Sequence, residues 1–291
     1  MSKTTARVIV LILGLCVGVS SVLSHPGIGI VMDSKGNVFY TDLKHVWKIA
    51  PDGKKSIAVH NVHTHELYID SLDNLYGEHL WYNGEAVDTW GHRVWRLTPD
   101  GTVKDIVPAR KGFLDDYDDF HFVHDQQGNF YWKDVGELIA IRKRSTDGNV
   151  KTIATVKFRD ARWMTATSDG IVYVIDLYDL VRIMPDGKID TVARDLAAWN
   201  VSRLLGPGRH AIMGLWTDTQ ANVYAAVFAD RLVKKIDPDG HVNIIARSKF
   251  PWSPTGGLVA PNGDLWLLEY STSNAARVRR IQKDGTDKMY E

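Results

Sequence analysis

Of the chain's eleven histidines, His60, His63, His65 and His79 fall within twenty residues of one another. Side chains at i and i+2 of a β-strand share a face, so an extended segment here would point His63 and His65 the same way. The polar turn Ser71-Leu72-Asp73-Asn74 would then reverse the chain, and antiparallel pairing would bring His79 beside His65. Three imidazoles at one strand end suit a borderline metal such as Zn²⁺ with an open position. The plainer alternative is that these side chains decorate a strand end or hold water in a channel. His60 reads as a surface residue.

The elements that must position this cluster repeat along the chain. An apolar strand, a polar turn, a second strand with an aromatic, and a third strand recur six times, often followed by Pro-Asp-Gly. The first copy reads Gly29–Asp33, Asn37-Val38-Phe39-Tyr40, His45–Ile49 and Pro51-Asp52-Gly53; the fifth reads Gly214–Asp218, Asn222-Val223-Tyr224, Leu232–Ile236 and Pro238-Asp239-Gly240. Proline presets φ and glycine supplies φ > 0, so Pro-Asp-Gly reverses the chain between β runs. Each unit is about 40–50 residues, the length of a four-stranded propeller blade, and no helical period is sustained. The expected fold is all-β, a six-bladed β-propeller of four-stranded blades forming a single domain over 25–291.

These Asn-x-aromatic strands with Pro-Asp-Gly turns resemble the NHL, SMP-30/gluconolactonase and streptogramin (virginiamycin B) lyase propellers, over essentially all of 25–291. The resemblance implies the fold and leaves several chemistries open. Streptogramin lyases carry Glu-x-His, thirteen residues, then Glu, where the acids hold Mg²⁺ and the histidine is the base. Here His63-Thr64-His65 and His79 have that spacing with both acids replaced by histidine. The resemblance thus makes His65 the base and puts His63 and His79 at metal positions. Imidazole ligands suit Zn²⁺ or another transition metal better than Mg²⁺, which prefers oxygen. Calcium is the SMP-30 alternative, but His25-Pro26-Gly27-Ile28 lacks the acid with which that family begins, and Asn200 and Asp218 sit in other contexts.

Equivalent positions in other blades extend the candidate set. Asp42, Asp134 and Glu269 take the place of His79, with Asp176 approximately so; Asp118 corresponds to His63 and His121 to Glu66. Titratable groups at one mouth of low dielectric are what a working site contains, although any one of them could equally cap a blade end. Two insertions flank the cluster. Asn83–His92 brings Trp81 and Trp90 to the mouth, and Arg110–Asp119 carries Asp115, Asp116, Asp118 and Asp119. Aromatic faces suit a sugar or other cyclic ligand, while the acidic run is either a Ca²⁺ site or solvated. Arg209 and His210 are further mouth candidates.

Composition bounds the rest. Charge is balanced at 35 Lys+Arg against 35 Asp+Glu, which argues against a nucleic-acid partner. Lys3 and Arg7, the apolar run Val8–Val19, and small residues before His25 read as a cleaved signal peptide over 1–24. A bilayer span needs about 20 apolar residues, so no membrane span is expected after cleavage. The only cysteine, Cys16, falls in that segment. The expectation is a periplasmic or secreted monomer performing metal-assisted lyase or hydrolase chemistry on a small cyclic polar substrate (sugar, lactone or ester). In this reading His65, Glu66 and His121 are catalytic, His63, His65 and His79 hold the metal, and Trp81, Trp90, Asp118, Asp134, Arg209, His210, Glu269 and Asp42 contact substrate. The alternative is a non-catalytic NHL-type propeller binding a glycan or protein partner.

Overall fold

The computed structural model describes residues 26–82, 90–114, 117–198 and 211–291. The 1–24 segment, Arg209, His210, Asp115, Asp116 and most of the 83–92 insertion lie outside the described residues. Among these described residues twenty-four strands form six four-stranded antiparallel sheets in chain order. Blade A is β1–β4 (Ile30–Val59), blade B β5–β8 (Leu67–Lys111), blade C β9–β12 (Val123–Val156), blade D β13–β16 (Ala161–Ala193), blade E β17–β20 (Leu215–Arg247) and blade F β21–β24 (Trp252–Tyr290). The expected six-bladed propeller is therefore the observed fold. Among the described residues no helix is long and apolar enough to cross a membrane.

The aspartate–asparagine pairs explain the repeat. At the β5–β6 turn, Asp70 Oδ1 accepts the backbone N–H groups of Leu72 and Asn74 (2.9 Å each), and Oδ2 accepts Asn74 Nδ2 and the Tyr76 hydroxyl (2.9 Å each). Asp125 with Asn129 and Tyr131, and Asp218 with Asn222 and Tyr224, repeat this set; Asp33 with Asn37 repeats it without the hydroxyl. One carboxylate thus closes a turn and anchors the second strand's aromatic.

Between blades the core is divided into six apolar clusters, one per seam. Among the described residues blades F and A share no strand, so the ring closes at the F–A seam by packing: Trp266, Leu268, Tyr270, Val278 and Tyr290 lie against Ile30, Val38, Tyr40 and Ile49. The Tyr270 hydroxyl also donates to the Thr41 carbonyl (3.0 Å). Packing inside a blade is also tight enough to require glycine. A Cβ on Gly77 would stand 2.2 Å from the ring of Trp95, which is fully buried and donates its indole N–H to the Glu78 carbonyl (2.9 Å).

The B–C seam differs from the others. Its apolar set is small (Val94, Val107, Leu114 and Phe120), and aromatic and imidazole rings fill the remainder. His124 stacks on Tyr68 at 3.6 Å between centroids and also meets Phe120 and Phe130. Burial pushes this imidazole down to about 4.

Two measurements check this packing. Gly77→Ala forces Trp95 out of place, and overpacking of this kind costs about 1–3 kcal/mol, read as a lower urea midpoint with unchanged slope; an unchanged midpoint would refute the Trp95 contact. For His124, the unfolded chain titrates near 6.5 and the folded one near 4, so the unfolded state gains the proton first as pH falls. Stability should drop between pH 6.5 and 4, level off below, and flatten in His124→Phe; at about 1.4 kcal/mol per unit of pKa the difference is on the order of 3 kcal/mol.

Candidate functional site

The upper end of the ring, where the innermost strands begin, is unequally open. Glycines let innermost-strand backbones meet directly in blades E, F, A and B. A Cβ on Gly214 would lie 2.4 Å from the Thr255 carbonyl, one on Gly256 2.1 Å from that of Ile28, and one on Gly29 2.8 Å from Leu67 N. Space remains beside blade C. There a cavity of about 330 Å³ is lined by His65, Glu66, Glu78, His121, Lys133 and Arg162, with Phe113, Phe122, Trp132 and Trp163 among its apolar walls. Glu66 also lines the central channel, a space of about 720 Å³.

The histidines reach this end by a different route from the one expected. β5 begins at Leu67, so His63 and His65 lie in the segment before the innermost strand rather than on it. Backbone bonds still fix that segment: the His65 carbonyl accepts from Ile28 and Gly29 N–H (2.8 Å each), and the His63 carbonyl accepts from Leu80 N–H (2.9 Å). Thr64, fully buried, donates its hydroxyl to the Glu78 carbonyl. The two imidazoles meet, with Nε2 of His63 3.3 Å from Nε2 of His65. On the other side of the ring, His65 Nδ1 faces Glu78 Oε1 at 3.6 Å.

His79 does not join them as a third donor. Its Nδ1 accepts the His63 backbone N–H (3.0 Å), which places the proton of the neutral ring on Nε2 and makes that nitrogen a donor. Trp95 over Gly77 sets the facing of β6, and the strand's alternation then sends Glu78 toward the cavity and His79 toward Arg93, its cross-strand partner. Burial, then the Arg93 charge, lowers the His79 imidazole. Burial also takes His65 down to about 4, so it is neutral over the ordinary pH range, as a metal-binding imidazole must be.

The remaining candidates divide. His121 is buried, stacked on Trp132 at 4.9 Å, and lines the cavity. Asp42 caps its own loop, accepting Lys44 and His45 N–H and the Trp47 indole (2.8 Å). Asp134 takes the Trp132 indole (2.9 Å) and faces Arg142. Asp118 is exposed near Arg144. Glu269 is fully buried, bound by Ser248 (2.5 Å) and Arg277 (2.7 Å) at the E–F seam. Asp176 accepts the N–H groups of Arg159 and Asp160. Trp81 lies across Gly91, and Trp90 stacks on Phe113 at 5.3 Å, leaving Phe113 half exposed above the cavity. Among the described residues, one group of three metal-type donors converges within 4.8 Å: Asp237, Asp239 and His241, in the exposed β19–β20 turn at the opposite end of the ring.

Glu78, Lys133 and Arg162 escaped the sequence reading. The signal for the first two was a single-residue step: Glu78 precedes His79 as Lys133 precedes the aligned Asp134, and it is the earlier residue of each pair that lines the cavity. His92 also belongs to β7 (Trp90–Leu97) rather than to a loop, and is fully buried. Its Nδ1–H donates to the Gly112 carbonyl (2.7 Å) and its Nε2 accepts from Arg110 Nε (3.0 Å). Arg110 in turn grips Asp119 through both terminal nitrogens (2.8 and 2.7 Å) and covers the Tyr117 ring. This network holds the ends of the segment that brings Phe113, Leu114 and His121 to the cavity.

No family model matches the chain, and no curated protein matches it. Solved structures do. A gluconolactonase from Xanthomonas campestris aligns with TM-score 0.54 at 10% identity, covering 87% of this chain and 81% of its own. Regucalcin, a calcium-binding protein from Agrobacterium tumefaciens, gives 0.54 at 14% over 84% and 81%. A streptogramin B lyase gives 0.49 at 14% over 92% and 85%. The resemblance read from the repeats is thus borne out as a likeness of fold.

Removing His92 leaves the half-buried Arg110 Nε without its acceptor, a loss worth about 1 kcal/mol. His92→Ala should therefore speed amide exchange in peptides carrying Phe113 and His121 while those of blade E keep their protection. Uniform acceleration, or none, would remove the network's anchoring role.

Proposed function

We propose that the chain is an exported propeller enzyme performing metal-assisted lyase or hydrolase chemistry on a small cyclic polar substrate, with the cavity between blades B, C and D as its site. The observation that carries this is the His63–His65 pair with Glu78 behind it. Two imidazole nitrogens sharing one tetrahedral Zn²⁺ at about 2.0–2.1 Å stand about 3.3 Å apart, and the Nε2 atoms are 3.3 Å apart. A carboxylate beside the other ring nitrogen is the usual support of a metal-binding histidine, and Glu78 has that position for His65. His63 and His65 would hold a zinc or similar transition ion, with Glu78 orienting His65. Nitrogen donors make Ca²⁺ or Mg²⁺ a poor fit here. The ion would polarise a carbonyl or acidify water.

The chain's own groups supply the rest. His65, with its pKa near 4, serves better as a ligand than as a base operating near neutrality. Glu66, between channel and cavity, takes the role of proton acceptor. Trp132, with His121 stacked on it, offers a flat wall for a ring, and the Trp90–Phe113 stack extends it to the rim. Export rests on the basic and apolar 1–24 segment.

Metal titration of the purified protein tests the assignment. Zn²⁺ should bind at one equivalent, His63→Ala and His65→Ala should each abolish binding, and Glu78→Gln should weaken it about 10–100-fold. His79→Ala should bind nearly as wild type does. Absence of binding, or equal loss in His79→Ala, would refute the pair as a metal site and leave the aromatic rim as a glycan-binding surface.

A further inference from the structure

The outer strand of each blade presents an edge of backbone groups, which proteins blunt with charges, proline or bulges. Here β8 carries Lys104, Asp105 and Pro108, β12 Lys151, β16 Asp190, and β24 Asp287 with Lys288. In β4 only Ser56 is exposed. The outer strand of blade E, β20 (Val242–Arg247), differs from these. Its first five residues, Val242-Asn243-Ile244-Ile245-Ala246, hold no charge and no proline, and the first four are exposed. Among the described residues no strand pairs with its outer side. The Asp237 N–H bonds the His241 carbonyl (3.1 Å) where β19 turns into β20, so antiparallel alternation points the N–H and C=O groups of Val242 and Ile244 outward. Ile245 is the extra residue of a bulge against β19, which ends the flat stretch there.

Charges of opposite sign flank this edge. Asp237 and Asp239 lie six and four residues before Asn243, and Arg247 and Lys249 lie four and six residues after it. Asp239, Arg247 and Lys249 are exposed. Asp237 also caps its own turn through the His241 N–H (2.9 Å), so Asp239 and Arg247 are the freer pair. A two-fold axis at Asn243 pairs Val242 of one copy with Ile244 of the other, each with its backbone groups turned outward. The same axis sets Asp239 against Arg247 and Asp237 against Lys249. Backbone alternation and charge thus select one centre. We infer that two copies of this chain associate through β20 in antiparallel register, as an isologous dimer in place of the expected monomer. The pairing joins two blades E into one eight-stranded sheet. Blade E stands across the ring from blade B, so the cavity between blades B, C and D stays open in both copies, and what it binds has no bearing on the association.

Sedimentation equilibrium of the purified protein tests the inference. It should show monomer and dimer exchanging in the micromolar range, as suits a small interface. Ile244→Lys places a charge on the edge at an exposed position and should leave monomer alone. Arg247→Glu sets like charges together twice in each dimer and should weaken association about tenfold. Asp239→Lys combined with Arg247→Glu restores the opposition with the signs exchanged, and affinity should return to within about threefold of the unaltered protein. That recovery also separates a lost contact from a misfolded variant. Monomer at every concentration, a dimer that survives Ile244→Lys, or no recovery in the double variant would overturn the β20 interface.

Discussion

Everything in this ring depends on how closely neighbouring blades can approach with a single layer of apolar side chains between them. Among the described residues blades F and A share no strand, so the F–A seam closes by the same apolar contact that joins every other pair. Apolar burial is strong but without direction, and precision comes from the glycines. Gly29, Gly214 and Gly256 let innermost backbones touch, Gly257 receives the Trp216 indole across the E–F seam, and inside blade B Gly77 receives that of Trp95. Tight packing around blades E, F, A and B leaves the free volume beside blade C, at the seam with the smallest apolar cluster.

The two ends of the ring use their polar groups differently. At the lower end, Asp33, Asp70, Asp125 and Asp218 are each committed to a turn and its asparagine, so a ring of carboxylates there is a consequence of four repeats. At the upper end, Asp42, Asp134, Asp176 and Glu269 are likewise committed to caps, indoles and arginines. Removing these from the candidates leaves the polar groups around one cavity: His65, Glu66 and Glu78 from blade B, with His121, Lys133 and Arg162 from blades C and D.

The repeat was legible in the sequence because one hydrogen-bonding unit wrote it. An aspartate that must accept two backbone N–H groups, an asparagine amide and a tyrosine hydroxyl fixes three residue types at fixed spacing, and Asn-x-aromatic is its visible trace. The site was legible only in part. His63 and His65 were found, but their role was read from strand alternation, and the strand starts at Leu67. His79 was found by spacing, yet facing on β6 is decided by Trp95 over Gly77, a contact between distant positions that no local pattern records. Lys133 and Arg162 became visible only when two blades were set side by side.

The chemistry of the pair follows from the same burial that shapes the seam. A histidine forced out of water loses basicity, and burial takes His65 down to about 4. The loss of proton affinity does not deprive the neutral ring of its lone pair. In the proposed metal site that lone pair, with a second Nε2 at 3.3 Å and Glu78 Oε1 3.6 Å from the other ring nitrogen, would serve a borderline cation. His79, by contrast, gives its Nδ1 lone pair to a backbone N–H. Two imidazoles with nearly the same sequence context are thus separated by where a single proton must sit, and the backbone of His63 makes that choice.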